Sequence, residues 1–328
     1  MNDRAISILD NYEFHVLRTY KGRSAIICET DQGLKVIREY SGTEDRIAGI
    51  DDLLRTVREN SGYFMDAYEK TKEGNYITRD RDQVTYIVKD YIEGRECSVR
   101  EKADICAAFA HMAKMHRVMR VPRSGEMHKG NGKLAAEIKR RNLELQYVRK
   151  YLRKKSNRQN FENYLNQNFE PFMTRASELE RAVEKEDFTM FYDWIATEGI
   201  FCHGDFQHHN LVVTAKGYEL LNYEKMQFDS GVRDISLLLR KVMEKNSWSS
   251  ELCKICLDAY ETVLPLTVDE KKLLCYRLSY PEKFWKIVNY YMNSRKVIIP
   301  GKHIEKLQSV LEQEAARKMC IEYLERML

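Results

Sequence analysis

Apolar and polar residues alternate along most of the first 90 positions, which is the pattern of half-buried β-strands. Three alternating segments come first, separated by short polar breaks, and two more follow a longer interval. In chain order they read FHVLRTY, AIICET, LKVIREY, NYITRD and VTYIVKDY. The alternation and the short connections predict a small antiparallel sheet.

The interval between the third and fourth strands has the spacing of an amphipathic helix. Ser41 and Glu44 have the S-x-x-E spacing of a capping box at its start. Apolar residues then recur every three or four positions, at Ile47, Ile50, Leu54 and Val57. We therefore expect one helix to pack against the sheet.

Beyond DYIEGREC the pattern changes to amphipathic helical segments that continue to the last residues. A short strand–loop–strand segment near residue 205 is the main interruption. This change predicts two lobes, residues 1–92 and 93–328, with a hinge near residue 92 and a cleft between them. The predicted fold class is α+β, with a small antiparallel-sheet N-lobe and a mostly helical C-lobe.

Composition narrows the class of protein. The chain has 328 residues, 43% of them hydrophobic, which suits a globular protein of one large domain or two lobes. A net charge of +4 is too small to imply a nucleic-acid partner. We find no apolar run of signal-peptide or membrane-span length, and the eight scattered cysteines are typical of reduced thiols, so we expect a cytoplasmic protein without a membrane partner. Cys253 and Cys256 lie in a helical pattern without a second C-x-x-C pair, which favours a packing role.

The polar loop within IFCHGDFQHHNLVV carries the candidate chemistry. His203, Asp205 and Asn210 have the H-x-D-x-x-x-x-N spacing of a kinase catalytic loop. Phosphoryl transfer needs a carboxylate to accept the proton of the attacking hydroxyl, and oxygen ligands to hold Mg²⁺ against the phosphates. The spacing predicts Asp205 as the base, Asn210 as a metal ligand and His203 as a support for the loop. The adjacent His208 and His209 are expected to pack within it.

Two levels of resemblance follow from these residues. CHGDFQHHNLVV, together with LLNYEKMQFDSGVRDIS, resembles the aminoglycoside phosphotransferase and choline kinase superfamily, which implies a two-lobed protein-kinase-like fold, ATP and Mg²⁺ as cofactors, and a hydroxyl acceptor. CHGDFQHHN, NYEK, DISLLLRKVMEKNSW and LSYPEKFWKIVNYYMNS resemble one branch of it, the CotS-type spore coat proteins of endospore-forming bacteria. That narrower resemblance implies a place in the spore coat, with coat proteins as partners.

The resemblance also assigns positions around the nucleotide. Asn222 falls where the family has a metal-binding aspartate, and the loss of a carboxylate there should weaken Mg²⁺ binding. The family's Leu-Lys pair falls on Ile37 and Arg38, which makes Arg38 the expected phosphate contact. Lys35 is the rival, but three positions along a strand it faces the opposite side.

The hinge implied by the resemblance, where the adenine would bind, includes Lys89, Asp90 and Tyr91. The helix acid that pairs with the phosphate-binding cation is either Glu44 or Asp51. The sequence leaves two functional hypotheses open. One is an ATP-dependent phosphotransferase acting on a hydroxyl of a small molecule or glycan, and the other is a degenerate kinase-fold component of the spore coat.

A basic segment lies at residues 139–158, where nine Lys or Arg are opposed within the segment only by Glu144. It is either a solvated helix face or a site for an anionic partner. Tyr147 and Tyr151 are four residues apart and are expected to pack inward. His116 lies where an apolar helix face should be, so we expect a core histidine with its hydrogen bonds satisfied.

Overall fold

The chain forms two compact units in the computed structural model, which describes residues 6–23, 25–121, 134–293 and 300–326. The described residues of the first unit lie within Met1–Ser98, Val118–Val121 and His203–Met226. Those of the second unit lie within Val99–Arg117, Pro122–Cys202 and Gln227–Leu328. The segment that carries the predicted catalytic loop therefore belongs to the same unit as the N-terminal strands. The lobe boundary near residue 92 stays a prediction.

The first unit contains a five-stranded antiparallel sheet in the order β1-β2-β3-β5-β4. Its strands are β1 (Val16–Gly22), β2 (Ala25–Thr30), β3 (Gly33–Glu39), β4 (Ile77–Arg79) and β5 (Thr85–Asp90). All five predicted strands are confirmed, although Ser24 in the first connection lies outside the described residues. In the β3–β5 register, Val36 pairs with Lys89 and Arg38 with Ile87. Because side chains alternate along a strand, these four residues share one face of the sheet.

The predicted helix of this unit is α1 (Glu44–Ser61), whose apolar stripe is buried. Its cap differs from the predicted Ser41–Glu44 box. Thr43 caps the helix by accepting a hydrogen bond from the Arg46 N–H at 3.3 Å. Glu44 cannot complete a box with Ser41, because its carboxylate accepts the backbone N–H groups at the start of β4, that of Ile77 at 2.9 Å among them. The helix ends at Gly62, which has a φ of 70°.

A second, three-stranded antiparallel sheet carries the loop of interest. Its strands are β6 (Arg95–Glu96), β7 (Leu211–Thr214) and β8 (Gly217–Leu220), in that order. The loop leads directly into β7, where the apolar run Leu211-Val212-Val213 predicts a strand. Gly94, just before β6, lies so close to β7 that a Cβ there would be 2.4 Å from the Val212 Cγ1. A glycine at this position lets the two chain segments approach each other.

The second unit is helical throughout its described part, as the periodicity predicts. Its helices are α2 (Lys102–Val118), α3 (Leu134–Lys154), α4 (Asn160–Gln167), α5 (Phe169–Val183), α6 (Thr189–Glu198), α7 (Val232–Lys245), α8 (Ser250–Glu261), α9 (Val268–Ser279), α10 (Glu282–Asn293), α11 (Pro300–Glu312) and α12 (Glu314–Arg326). None of the helices in the described ranges is both long enough and apolar enough to cross a membrane. The core includes the stacked rings of Phe172 and Phe284, whose centroids are 4.2 Å apart. Cys253 and Cys256 are both buried in α8, which confirms their packing role.

His116 is confirmed as a core histidine of this unit. It is 8% exposed, and its Nδ1 lies 2.8 Å from the Tyr260 hydroxyl. Its Nε2 lies 3.2 Å from a carboxylate oxygen of Asp234, in the first turn of α7. Both ring nitrogens therefore have polar partners.

The basic segment forms most of α3, and its aromatic residues do not pack inward. Tyr147 is 66% exposed and Tyr151 is 39% exposed, because the buried stripe of the helix is formed instead by Leu145, Val148 and Leu152. The prediction for the two tyrosines is therefore wrong.

Several arginines of α3 are paired with acids from other helices, including Arg141 with Glu282 and Arg149 with Glu170. Both acids lie outside residues 139–158, so the sequence of the basic segment alone could not reveal these ion pairs. Three lysines form no ion pair within the described part of the chain, namely Lys139, Lys150 and Lys154. These lysines are the part of the segment still available to an anionic partner.

Candidate active site

His203 fixes the backbone of the polar loop. Its ring is fully buried, its Nδ1 accepts a hydrogen bond from the Asp205 N–H at 3.2 Å, and its Nε2 lies 3.0 Å from the carbonyl oxygen of Leu221. Because Nδ1 is an acceptor, the ring proton is on Nε2 and is donated to that carbonyl. Phe206 and Tyr223 contact the ring edge-on. His203 therefore lies behind the loop, where the sequence expects a supporting residue.

Asp205 is held by two donors that the motif did not reveal. Its Oδ1 accepts a hydrogen bond from the Gln207 amide at 2.5 Å, and its Oδ2 lies 2.9 Å from the Lys225 ammonium. The Asp205 side chain is 19% exposed and that of Lys225 is 68% exposed. The only sequence signal for Lys225 was its place in the NYEK segment, because the contact joins positions 20 residues apart. The carboxylate is thus oriented and has an exposed ammonium beside it.

Asn210 and Asn222 lie side by side and bond to each other. The Nδ2 of Asn210 donates to the Asp205 carbonyl at 2.8 Å, and the Nδ2 of Asn222 donates to the Oδ1 of Asn210, also at 2.8 Å. The remaining Oδ1 of Asn222 accepts a hydrogen bond from an Arg38 Nη1. Asn222 has the left-handed backbone φ of 71°, which asparagine tolerates better than most residues. The structure therefore brings together Arg38, Asn210 and Asn222, three of the predicted site residues.

Lys35 lies on the opposite side of the sheet from Arg38, as the strand geometry predicts. Its ammonium is 2.5 Å from Glu69 and 2.7 Å from Asp90, and its side chain is buried. Burial lowers the pKa of Lys35, but the hydrogen bonds to Asp90 and Glu69 outweigh it and place the pKa above its ordinary value. Lys35 is thus committed to an ion-pair network that does not include Arg38.

Lys89 occupies a buried ion-pair cluster that sequence reasoning missed. Its ammonium lies 2.5 Å from the Asp66 Oδ2 and 2.5 Å from the Glu224 Oε1, and the residue is 1% exposed. The same Asp66 oxygen accepts the Asn222 backbone N–H at 2.7 Å, which ties the cluster to the asparagine pair. Burial raises the pKa of Glu224, but the charges of Lys89 and Arg38 outweigh it and hold the pKa below its ordinary value.

Neither acid proposed as the partner of Arg38 is free for that role. Glu44 binds the start of β4, and Asp51 accepts a hydrogen bond from the Tyr76 hydroxyl at 2.8 Å. The carboxylate whose pKa the Arg38 charge lowers is Glu224. The acid near this arginine therefore comes from the segment after β8 and not from α1.

A cavity of 240 Å³ opens among these side chains within the first unit. Part of its lining is apolar and comes from Ala25, Ile27, Val36, Val212 and Leu221. The polar part consists of Arg38, Asp66, Lys89, Asn210 and Asn222, together with Asp90, Tyr91 and His209. An apolar wall next to a cationic and amide-rich group suits a ligand that has a flat apolar part and an anionic part.

The donor set does not fit the Mg²⁺ that the resemblance implies. Mg²⁺ prefers carboxylate and other oxygen ligands in octahedral geometry. Here the oxygens of Asn210 and Asn222 each accept an N–H, one of them from a guanidinium. The nearby carboxylates are engaged by lysines, and within the described ranges no three His, Cys, Asp or Glu side chains converge to hold a metal.

Comparison with known families places this geometry in context. The sequence model of the family described as "Spore coat putative kinase YutH" matches residues 6–324. The chain is also 24% identical to spore coat protein S of Bacillus subtilis (strain 168), over 97% of this chain and 92% of that protein.

Solved structures of kinase-like enzymes share the fold. An aminoglycoside phosphotransferase from Alicyclobacillus acidocaldarius superposes with a TM-score of 0.81, with 17% identity, over 98% of this chain and 95% of its own. An amicoumacin kinase solved in complex with AMP-PNP, Ca²⁺ and Ami superposes with a TM-score of 0.61 and 12% identity, over 97% and 92% of the two chains. At these identities the likeness establishes the protein-kinase-like fold, as the sequence predicts.

Proposed function

Because the chain belongs to the YutH family of spore coat kinase-like proteins, we propose that it is a phosphotransferase of the spore coat that moves a phosphoryl group from ATP to a hydroxyl group. The observation that carries the proposal is the position of Asp205. Its carboxylate is fixed on the same loop as Asn210, which borders the cavity that Arg38 also lines. A base on a loop that borders an arginine-lined cavity is what transfer to a hydroxyl requires.

In the proposed reaction Arg38 binds the phosphates and the apolar lining of the cavity takes the adenine. The acceptor hydroxyl donates its hydrogen bond to Asp205. A bond forms between that oxygen and the terminal phosphorus as the bond to the bridging oxygen breaks, ADP leaves, and the proton passes to the Asp205 carboxylate. Lys225, which is exposed and lies against this carboxylate, stabilises the developing charge on the transferred group.

Replacement of the base tests the proposal. Asp205→Asn keeps the shape of the side chain but cannot accept the proton, so ATP consumption with an acceptor mixture extracted from spore coats should fall by about 10²-fold or more. Asp258→Asn is the matched control, because Asp258 also pairs with a lysine, at 2.5 Å from Lys254, but is exposed and lies outside the site. Equal ATP consumption by the wild-type protein and Asp205→Asn would end the proposal.

A kinase-fold coat component without turnover is the second candidate. Two observations favour it: Asn222 stands where a metal-binding carboxylate is expected, and Lys225 engages the Asp205 carboxylate. On this hypothesis, spores that make only the Asp205→Asn chain assemble a coat with the normal protein composition and resistance. A coat defect caused by Asp205→Asn in a folded chain would count against it.

We also propose that an anionic partner binds α3. The support is the group of three lysines without ion pairs within the described residues, Lys139, Lys150 and Lys154. They lie on the same helix as the exposed Tyr147 and Tyr151. Cations beside exposed aromatic rings suit a ligand that is both anionic and able to stack.

A further inference from the structure

The hydrogen bonds around Asn222 leave one consistent orientation for both amides. Asn210 donates its Nδ2 to a carbonyl, so its Oδ1 must face Asn222. Asn222 therefore presents its own Nδ2 to that oxygen and its Oδ1 to Arg38, which can only donate. Every donor in this chain of contacts meets an acceptor.

A carboxylate at position 222 could not make the same contacts. An aspartate has no N–H to donate, so one of its oxygens would face the Oδ1 of Asn210 at the present separation of 2.8 Å. Two acceptors at that distance repel each other unless a cation lies near both. The Asn222 amide therefore bonds directly to Asn210, whereas an aspartate at this position would need a cation to bridge the two side chains.

The surrounding charges agree with this. The buried cluster sets two cations, Arg38 and Lys89, against two carboxylates, Asp66 and Glu224. These four charges sum to zero, so the cluster itself presents no net negative charge to a divalent ion. Arg38 has five N–H groups, of which one is bonded to Asn222, and its guanidinium is on the surface of the cavity. The others suit the paired oxygens of a phosphate.

We infer that this site binds the phosphates of a nucleotide without a divalent cation, with the Arg38 guanidinium in the place of the metal. This inference rests on the proposed function, because it concerns the same nucleotide. It assigns Asn222 the role of a positioning residue, which holds the guanidinium at the phosphates through its Oδ1 and is itself held by Asn210.

Calorimetric titration of the full chain with ATP and with ADP tests the inference. Each nucleotide is titrated in EDTA and again in excess MgCl₂ or MnCl₂. The wild-type dissociation constants should fall by no more than about twofold when the metal is added. The oxygens of Asn210 and Asn222 already accept hydrogen bonds and do not become metal ligands. Arg38→Met should weaken binding by roughly tenfold or more under both conditions. Arg55→Met, at an exposed position of α1, is the matched control and should leave the affinity unchanged.

Asn222→Asp supplies a second, independent measurement. It restores the carboxylate, so it should make nucleotide binding at least about tenfold tighter in Mg²⁺ than in EDTA. Without nucleotide, Mg²⁺ should raise the unfolding temperature of Asn222→Asp and leave that of the wild-type protein unchanged. This second readout does not depend on nucleotide binding or on turnover.

The outcomes separate the inference from the proposed function. Nucleotide binding in EDTA that is lost in Arg38→Met supports both. Wild-type binding that appears only with Mg²⁺ or Mn²⁺ overturns the inference and leaves the proposed function standing. No nucleotide binding under any condition overturns both the proposed function and the inference. The effect of Mg²⁺ alone still tests whether the Asn222 site binds a metal ion. A rise in the wild-type unfolding temperature with Mg²⁺ would show that it does.

Discussion

Replacement of Lys89 by methionine would expose the electrostatics of the buried cluster. Methionine keeps most of the length of the side chain but removes the ammonium that lies between Asp66, which is fully buried, and Glu224, whose side chain is 17% exposed. One oxygen of Asp66, Oδ1, already lacks a hydrogen-bond partner among the described residues. Removing one partner of a buried ion pair typically costs about 3–5 kcal/mol, because the remaining charge stays desolvated.

Urea unfolding followed by circular dichroism measures this cost. At pH 7, with a slope of about 3 kcal/mol per molar urea, the midpoint of Lys89→Met should fall by about 1 M or more. Lys254→Met is the matched control. Its ammonium lies 2.5 Å from Asp258, the same separation as in the Lys89 pair, but both partners are exposed to water. Its midpoint should not move, since water replaces the partner at an exposed site.

The pH dependence gives the prediction a second, more specific part. In the wild-type protein the pKa of Glu224 is held below 4.5, so its contribution to stability is complete above that pH and is lost as the pH falls through the lower folded value. Without Lys89, burial is the larger effect and should raise the pKa of Glu224. Protonation of Glu224 then removes an unpaired buried charge from the variant. The free energy of unfolding of Lys89→Met should therefore approach that of the wild type as the pH falls from 7 to 4. A loss below about 1 kcal/mol at pH 7, or a loss that does not change with pH, would refute this reasoning.

Three further predictions concern other parts of the chain. Burial raises the pKa of Glu137, but Arg277 and two other arginines outweigh it and lower the pKa to about 2. Glu137→Gln should therefore lower the free energy of unfolding by about 3 kcal/mol at pH 7, as measured by urea titration. In this variant the loss of stability between about pH 5 and 2 should be smaller than in the wild type. An equal loss of stability at low pH in Glu137→Gln and in the wild-type protein would contradict that assignment. Gly94→Ala places a Cβ 2.4 Å from a methyl group of Val212, so it should lower stability by about 1–3 kcal/mol in thermal unfolding, and an unchanged midpoint would show that β7 can shift freely. Changing Lys139, Lys150 and Lys154 of α3 to glutamate should lower the salt concentration at which the chain elutes from heparin, and equal elution would rule out the proposed binding of an anionic partner.

The sequence predicts the parts of the site that lie close together along the chain. His203, Asp205 and Asn210 are within eight positions, and their spacing alone placed them on one loop. Arg38 was chosen over Lys35 because of the resemblance, and the alternation of side chains along β3 predicted that the two face opposite sides, as they do in the structure. Local periodicity also predicted the strands, because burial of alternate residues is recorded in the sequence itself.

The remaining parts depend on contacts between distant positions. Lys89 was expected to contact adenine from the hinge, and its ion pair with Glu224 joins residues 135 positions apart, which no local pattern reveals. Glu44 and Asp51 were plausible partners of Arg38 until the structure showed backbone groups and a tyrosine bound to them. The inward packing predicted for Tyr147 failed because one four-residue spacing fits either face of a helix.

The separation of these partners along the chain has a consequence for synthesis on the ribosome. Asp66 and Lys89 are 23 residues apart and can meet as soon as the N-terminal strands emerge. Glu224 is made 135 residues after Lys89, which at 5–20 residues per second is roughly seven to thirty seconds later. During that interval the nascent chain has an incomplete charge cluster and no partner for the Arg38 guanidinium at position 222. A chaperone that binds the exposed Lys89 ammonium of this unfinished cluster would therefore act only on the growing chain, because Lys89 is buried once Glu224 has folded against it.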